Sequence, residues 1–251
     1  MIELNAISKN YGSFAALDNI SFTIKEGEVT CVLGDNGAGK STLIKILAGI
    51  HQPDTGTMVV DGVETTFTNP RAALDHGIAT VYQDLAVVGQ MSVWRNFFLG
   101  QELSNRWGIL KRAEMAHIAH QQLNEMGVDL PSVDTPISSL SGGQRQVVAI
   151  ARAIYFGARV LILDEPTAAL GVKQSGMVLK FIAAARSRGI GVVFVTHNPH
   201  HAYLVGDHFT ILNLGRQILD SARSDTSVAE LTRYMSGGSE LEALSHELEG
   251  R

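Results

Sequence analysis

Cysteine is nearly absent from this 251-residue chain: Cys31 stands alone, which excludes an internal disulfide and suits a reducing compartment. Long apolar runs are missing too. The longest stretches, such as "VLIL" at 160–163 and "VVFV" at 192–195, fall far short of the ~20 residues of a membrane-spanning helix, and the N-terminal "MIELNAISKN" has no signal-peptide apolar core. The expectation is a chain that neither crosses a bilayer nor is exported. There is no basic excess, since 20 Lys and Arg face 25 Asp and Glu for a net charge of −5, so nothing global points to nucleic acid as a partner. No internal repeat is visible. What remains is 45% hydrophobic and long enough to bury a core as one large domain or as a domain with an inserted subdomain.

Short β-rich runs at 29–33, 78–82, 160–163 and 192–195 alternate with helical patterns at 41–48, 172–188 and 227–235. Such alternation predicts a mainly parallel sheet flanked by helices, and unbroken Val/Ile/Leu content suits strands covered on both faces. The first ~25 residues read as antiparallel strands joined by turns. Between Gln83 and Tyr155 helical signals dominate, notably at 113–126 and 144–155, which predicts a helical subdomain over roughly 86–156 inserted in a domain spanning 1–235. The end, 236–251, is rich in glycine and glutamate and reads as a flexible tail or a short solvated helix.

The run Gly34-Asp35-Asn36-Gly37-Ala38-Gly39-Lys40-Ser41 fits G-x-x-x-x-G-K-S and lies between the strand "VTCVL" and the helix "STLIKILAGI". Glycines there let successive N–H groups curl around phosphate oxygens, the helix N-terminus adds its positive dipole end, and Lys40 supplies a cation. Ser41 can ligate Mg²⁺ beside Thr42. Downstream, "VLILDEPT" is an apolar strand ending in Asp164 and Glu165, which strand alternation would point in different directions: Asp164 toward a magnesium shell, Glu165 toward an attacking water. The alternative is a strand end with solvated acids before a Pro166 turn.

A third stretch, "LSGGQRQ" at 140–146, opens a helix. Ser141 and Gln144 fit a capping box, but two consecutive glycines in a first turn are not explained by a cap.

Together these elements resemble the ATP-binding cassette ATPases over nearly the whole chain, up to about residue 235, with "LSGGQ" matching that family's signature motif. The resemblance implies an α/β P-loop NTPase core of RecA-like type, with an N-terminal antiparallel β subdomain and an inserted helical subdomain. It implies ATP and Mg²⁺ as ligands and a head-to-tail dimer of two copies, in which Ser141, Gly142, Gly143 and Gln144 of one copy address the γ-phosphate held by the other. By the same resemblance Tyr11 would stack on adenine, Gln83 would sense Mg²⁺ and the γ-phosphate, and His197 would organise the attacking water. Gly34, Asn36, Gly37, Ala38 and Gly39 would cradle phosphate, Ser41, Gln83 and Asp164 would hold the metal, and Glu165, His197, Lys40 and Gln83 would carry hydrolysis. Many members have aspartate where this chain has Gly171.

The forms "PTAALGVKQ", "VYQDLAVV" and "FFLGQE" look like the ATPases of bacterial ribose-, xylose- and fructose-type importers. That likeness implies membrane permease subunits, an external sugar-binding protein acting through them, and a place on the cytoplasmic face of the membrane. The apolar "DLAVVGQMSVWRNFFLG" then reads as part of a groove for a permease helix, or as internal packing of the helical subdomain. The rival functions are a nucleotide-binding module with little hydrolysis, an exporter ATPase, a repair or translation ATPase, and a small-molecule kinase. The histidines His197, His200 and His201, and the pair His117 and His120, invite a metal reading against which the lack of accompanying cysteines or carboxylates weighs.

Overall fold

Gly12, at φ +61°, turns the chain back on itself after its first strand. β1 (Ile2–Tyr11) and β2 (Phe14–Ile24) therefore pair antiparallel, with Ile2 opposite Ile24 and Tyr11 opposite Phe14. The computed structural model describes residues 1–236; the expected tail lies outside the described residues from 237 onward. In chain order there follow β3 (Val29–Leu33), α1 (Lys40–Leu47), β4 (Thr55–Val60), β5 (Val63–Glu64), α2 (Pro70–Asp75), β6 (Ile78–Val81), α3 (Val93–Phe98), α4 (Arg112–Glu125) and α5 (Gly142–Tyr155). Then come β7 (Val160–Asp164), α6 (Val172–Ser187), β8 (Gly191–Thr196), α7 (Pro199–Val205), β9 (His208–Asn213), β10 (Arg216–Ala222) and α8 (Val228–Met235).

The strands form one ten-stranded sheet in the order β5-β4-β1-β2-β10-β9-β3-β8-β7-β6. Pairing is parallel from β9 through β3, β8 and β7 to β6, and antiparallel from β5 to β2. The two halves join through the β9–β10 pair, because β10 lies parallel to β2 at Arg216 and Asp18. The parallel strands read as continuous apolar runs because both faces are covered, yet their side chains alternate between two cores. Cys31, Leu33, Leu161, Leu163, Val192 and Phe194 face one cluster; Val32, Val160, Ile162, Val193 and Val195 face the other, with α1 and the N-terminal strands. Cys31 is a fully buried member of this core; burial, with the nearby Asp207 charge adding to it, pushes its thiol well above the ordinary range, so it is chemically inert.

The predicted helices appear within one or two residues, and the structure adds α2, α3 and α7 and the strands β4, β5, β9 and β10. The three helices are six or seven residues long, too short for a helical period to show. Between β6 and β7 the described chain has no named strand. It runs through α3, α4 and α5, and α5 also packs on β6 and α6, so this helix is shared with the sheet.

The apolar stretch 84–100 divides. Val93, Trp94, Phe97 and Phe98 are buried, and the two phenylalanines stack edge to face or tilted on Tyr155 and Phe156 at the end of α5. Its front half, with Leu85, Ala86 and Val87, lines a cleft of about 220 Å³ together with Tyr82, Asn96, Arg152 and Phe156. Asn96 shapes that edge: fully buried, its side chain accepts from Val88 N and its amide nitrogen lies 3.1 Å from the carbonyls of Val88, Met91 and Ser92.

Candidate active site

The phosphate-loop segment is tight because sheet and hairpin crowd it. A β-carbon on Gly34 would sit 2.5 Å from the Leu212 carbonyl, and one on Gly39 would sit 2.6 Å from the Ala16 carbonyl, with φ of +104° at Gly39. Side chains are thereby excluded at both ends of the loop. α1 begins at Lys40 with its first N–H groups turned toward the loop, and no side chain caps Gly39, which leaves them free for an anion. Lys40 is buried, and its ammonium donates to the carbonyls of Gly34 (2.7 Å) and Asp35 (2.9 Å). Burial lowers its pKa, opposed by the charges of Glu165, Asp35 and Asp164. Ser41 is exposed and Thr42 half-buried beside it.

β7 lies between β6 and β8 and delivers Asp164 opposite Val195. Burial raises the Asp164 carboxyl above the ordinary range and the adjacent Glu165 adds to this, while Lys40 pulls it back down. Glu165 does leave the strand in its own direction, but the cause is a turn and not the pleat. The strand ends at Asp164, and Glu165 takes a left-handed conformation at φ +48°. Its carboxylate lies 3.0 Å from His197 Nδ1, 3.4 Å from Thr196 Oγ1 and 4.0 Å from Lys40 Nζ. His197 and Lys40 therefore meet around the Glu165 carboxylate, brought there by the ends of β7 and β8 and the start of α1.

The start of α5 gives its glycines a packing reason within the chain. Ser141 Oγ accepts from Gln144 N at 3.3 Å and Gln144 Oε1 accepts from Ser141 N at 2.9 Å, so the capping box is formed. A β-carbon on Gly142 would lie 2.7 Å from Leu170 Cδ2, and one on Gly143 3.1 Å from Gln174 Cβ and 3.3 Å from the Gln174 backbone. The bareness thus lets α5 close onto the start of α6 within the same chain. Gly142 shares a cleft of about 340 Å³ with Gln83, Glu165, Leu170 and Gln146. Gln146, passed over in the sequence, is buried, and its side-chain nitrogen has no hydrogen-bond partner among the described residues. Its period in α5 marked it only as another helical residue.

Tyr11 ends β1, largely exposed, in edge contact with His51 at 5.8 Å; its hairpin supplies the Ala16 carbonyl that crowds Gly39. Gly171 caps α6 with no side-chain hydrogen bond, and a β-carbon there would meet nothing within 4 Å, so no steric reason requires glycine. No group of three or more His, Cys, Asp and Glu among the described residues is arranged to hold a metal, which leaves the histidine-cluster reading without support. His201 Nδ1 instead bonds Thr167 Oγ1 at 3.0 Å, and His120 bonds Asn124.

A family model described as ABC transporter matches residues 17–168, from the second strand through the Glu165 turn. The chain belongs to the ABC transporter family. As a cassette of this kind it binds nucleotide and hydrolyses ATP. It is 40% identical over 235 residues to the xylose/arabinose import ATP-binding protein of Sulfolobus acidocaldarius, covering 94% of this chain and 93% of that one. It is also 40% identical over 247 residues to the fructose import ATP-binding protein of Rhizobium meliloti, covering 96% and 95%. Against the ribose import ATP-binding protein of Bacillus subtilis the identity is 36% and the match spans 48% of that longer protein. Among solved structures, a nucleotide-free ATP-binding cassette from an ABC transporter superposes with a TM-score of 0.80 at 26% identity, over 92% of this chain and 98% of that one. A dimeric cassette in a post-hydrolysis state with ADP and Pi gives a TM-score of 0.74 at 26% identity, over 89% and 99%. No helix among the described residues is long and apolar enough to cross a membrane.

Proposed function

We propose that this cassette pairs head to tail with a second copy around two MgATP and drives a permease for monosaccharide import, sitting at the cytoplasmic face of the membrane through that permease. The carrying observation is the convergence of Lys40 and His197 on the Glu165 carboxylate at the mouth of the phosphate loop. Support for the sugar comes from the two single-cassette relatives, which are named for xylose/arabinose and fructose import and match over nearly their full length. A sugar-binding protein outside the cell would act through the permease.

Ser41, Gln83 and Asp164 offer the hard oxygen donors that Mg²⁺ prefers. The ion, when bound with ATP, supplies charge neutralisation across the terminal phosphates. The chain's own groups do the rest. N–H groups of the loop and of the first turn of α1 bind phosphate oxygens, and Lys40 exchanges its Gly34 and Asp35 carbonyls for them. Glu165 orients a water and takes its proton, and His197 keeps that carboxylate in place. Ser141 accepts from Gln144 N and so retains its own hydroxyl proton to donate, beside the free N–H groups of α5, to a phosphate held by the partner copy. Tyr11, exposed on the hairpin that flanks Gly39, would stack on adenine. The cleft lined by Tyr82, Leu85, Val87 and Phe156 is a receptor for a permease helix: it is apolar, and Gln83, next to Tyr82, links it to the phosphates.

Glu165→Gln keeps the shape and removes the base. Phosphate release is expected to fall about 10²-fold or more, while light scattering shows ATP-dependent pairs accumulating. Undiminished steady-state hydrolysis sinks the assignment. Uptake of a pentose or ketohexose by cells carrying the cassette and its permease, lost in the same variant, tests the transport reading.

A further inference from the structure

The catalytic turn is backbone-strained. Glu165 and Ala169 both take positive φ, +48° and +57°, a region L-residues rarely adopt, and such conformations persist only where the surroundings over-determine them. Backbone bonds fix two points: Glu165 N donates to Val195 O at 2.9 Å and Ala168 N to Glu165 O at 3.0 Å. Between them Pro166 has no N–H to offer. Side chains complete the restraint in a closed circuit. Thr196 Oγ1 donates to Glu165 Oε2 at 3.4 Å and accepts from Asn198 N at 3.1 Å. Asn198 Oδ1 accepts from His201 N at 3.1 Å, capping α7, and His201 Nδ1 lies 3.0 Å from Thr167 Oγ1, two residues beyond Glu165. Thr167 is buried, and His201 is the hydrogen-bond partner of its hydroxyl.

We propose that His201 is a positioning residue that, through Thr167, holds the Glu165 turn in its left-handed conformation and so keeps the carboxylate on His197. The proposal rests on the reading of Glu165 as the base. The segment after β8 then couples to Glu165 in two ways. His197 contacts the carboxylate from one side, while His201, four residues on in the first turn of α7, pins the backbone that carries it. Burial, with the charges of His200 and His197 adding to it, lowers the pKa of His201, which favours a neutral ring whose Nδ1 pairs with the Thr167 hydroxyl in either tautomer. A displaced turn would misaim the carboxylate without touching the phosphate loop, so turnover should suffer and nucleotide affinity should not.

The test uses the full chain and steady-state ATP hydrolysis. His201→Leu and Thr167→Val are each expected to lower kcat about 10- to 100-fold with the KM for MgATP unchanged, the size expected when a catalytic group is misplaced by a fraction of an ångström to one ångström. The double variant should be no slower than either single one. His201→Asn places a polar atom where Nδ1 sits and should recover most of the rate; His201→Gln places it near Nε2 and should not. Thr167→Val, nearly the same shape as the native side chain, keeps the test open if His201→Leu folds poorly. A higher KM with kcat intact, equal recovery by Asn and Gln, or multiplicative losses in the double variant overturns the proposal. Glu165→Gln, run alongside, separates the two readings: if it abolishes turnover while His201→Leu does not slow it, only the positioning role fails, and if it hydrolyses normally, the base assignment fails.

Discussion

Adding one methyl group at Gly143 sets two opposed effects against each other. Glycine within a helix is worse than alanine by roughly 0.5–1 kcal/mol, so propensity alone makes Gly143→Ala stabilising. The structure reverses the sign, because the new β-carbon would lie 3.1 Å from Gln174 Cβ and 3.3 Å from its Cα and carbonyl oxygen. Those are backbone and near-backbone atoms of α6 that cannot rotate away, and overpacking of this kind costs about 1–3 kcal/mol. The net expectation is a loss of about 1–2 kcal/mol, or a fall of about 3–6 °C in Tm for a chain of this size. Gly142→Ala is the internal control. Its β-carbon would press on Leu170 Cδ2, at 2.7 Å, the far end of a flexible side chain that can swing aside, and would meet Gln174 Oε1 at an ordinary 3.7 Å. The propensity gain then roughly cancels the cost, leaving a change within about 0.5 kcal/mol. Urea unfolding of both variants at one pH and temperature reads the difference. A Gly143→Ala protein more stable than the parent, or a Gly142→Ala protein equally damaged, would refute the view that α5 is bare in order to seat against α6.

Asn96→Leu keeps the branched shape but leaves the Val88 N–H without its acceptor, whereas the carbonyls of Val88, Met91 and Ser92 keep backbone donors in Met91, Ile137 and residue 96; it should cost about 1–3 kcal/mol and abolish amide-exchange protection at Val88, and retained protection would show that the 88–92 loop holds without it. The His208–Asp220 pair, 2.9 Å apart across β9 and β10, gives a pH-dependent cost. His208 is raised, chiefly by the Asp220 hydrogen bond, so its contribution is full below about pH 6.5 and is lost as pH rises through the folded value. Asp220 is lowered because, although burial opposes ionisation, the His208 and Thr210 hydrogen bonds prevail; its contribution is lost only as acid takes pH down through that lowered value. Asp220→Asn should therefore destabilise more at pH 6 than at pH 9, by up to about 1 kcal/mol because the carboxylate is partly exposed and screened; equal penalties at both pH values would contradict the pairing.

Local chemistry was enough to read the phosphate loop, the apolar strand leading to Asp164, the capping box at Ser141 and the longer helices, because each is fixed by neighbours within a few residues: glycines in a turn, a serine three residues before a glutamine, a period of 3.6. Short elements escaped because the six residues of α3 and the seven of α7 show no period, and β9 and β10 gain their place only by bridging the two halves of the sheet. Direction at the Glu165 turn was likewise beyond reach. Strand alternation would send Asp164 and Glu165 apart by pleating, whereas a left-handed backbone at Glu165, closed by Thr196, Asn198, His201 and Thr167, turns the carboxylate toward His197. The sequence therefore determined which groups this cassette owns and which local turns present them. Tertiary structure alone decided that β7, β8 and α1 bring Glu165, His197 and Lys40 within 4.0 Å, and that Gly143 must be bare to meet Gln174, since contacts between residues 30 or more positions apart leave no trace in local pattern.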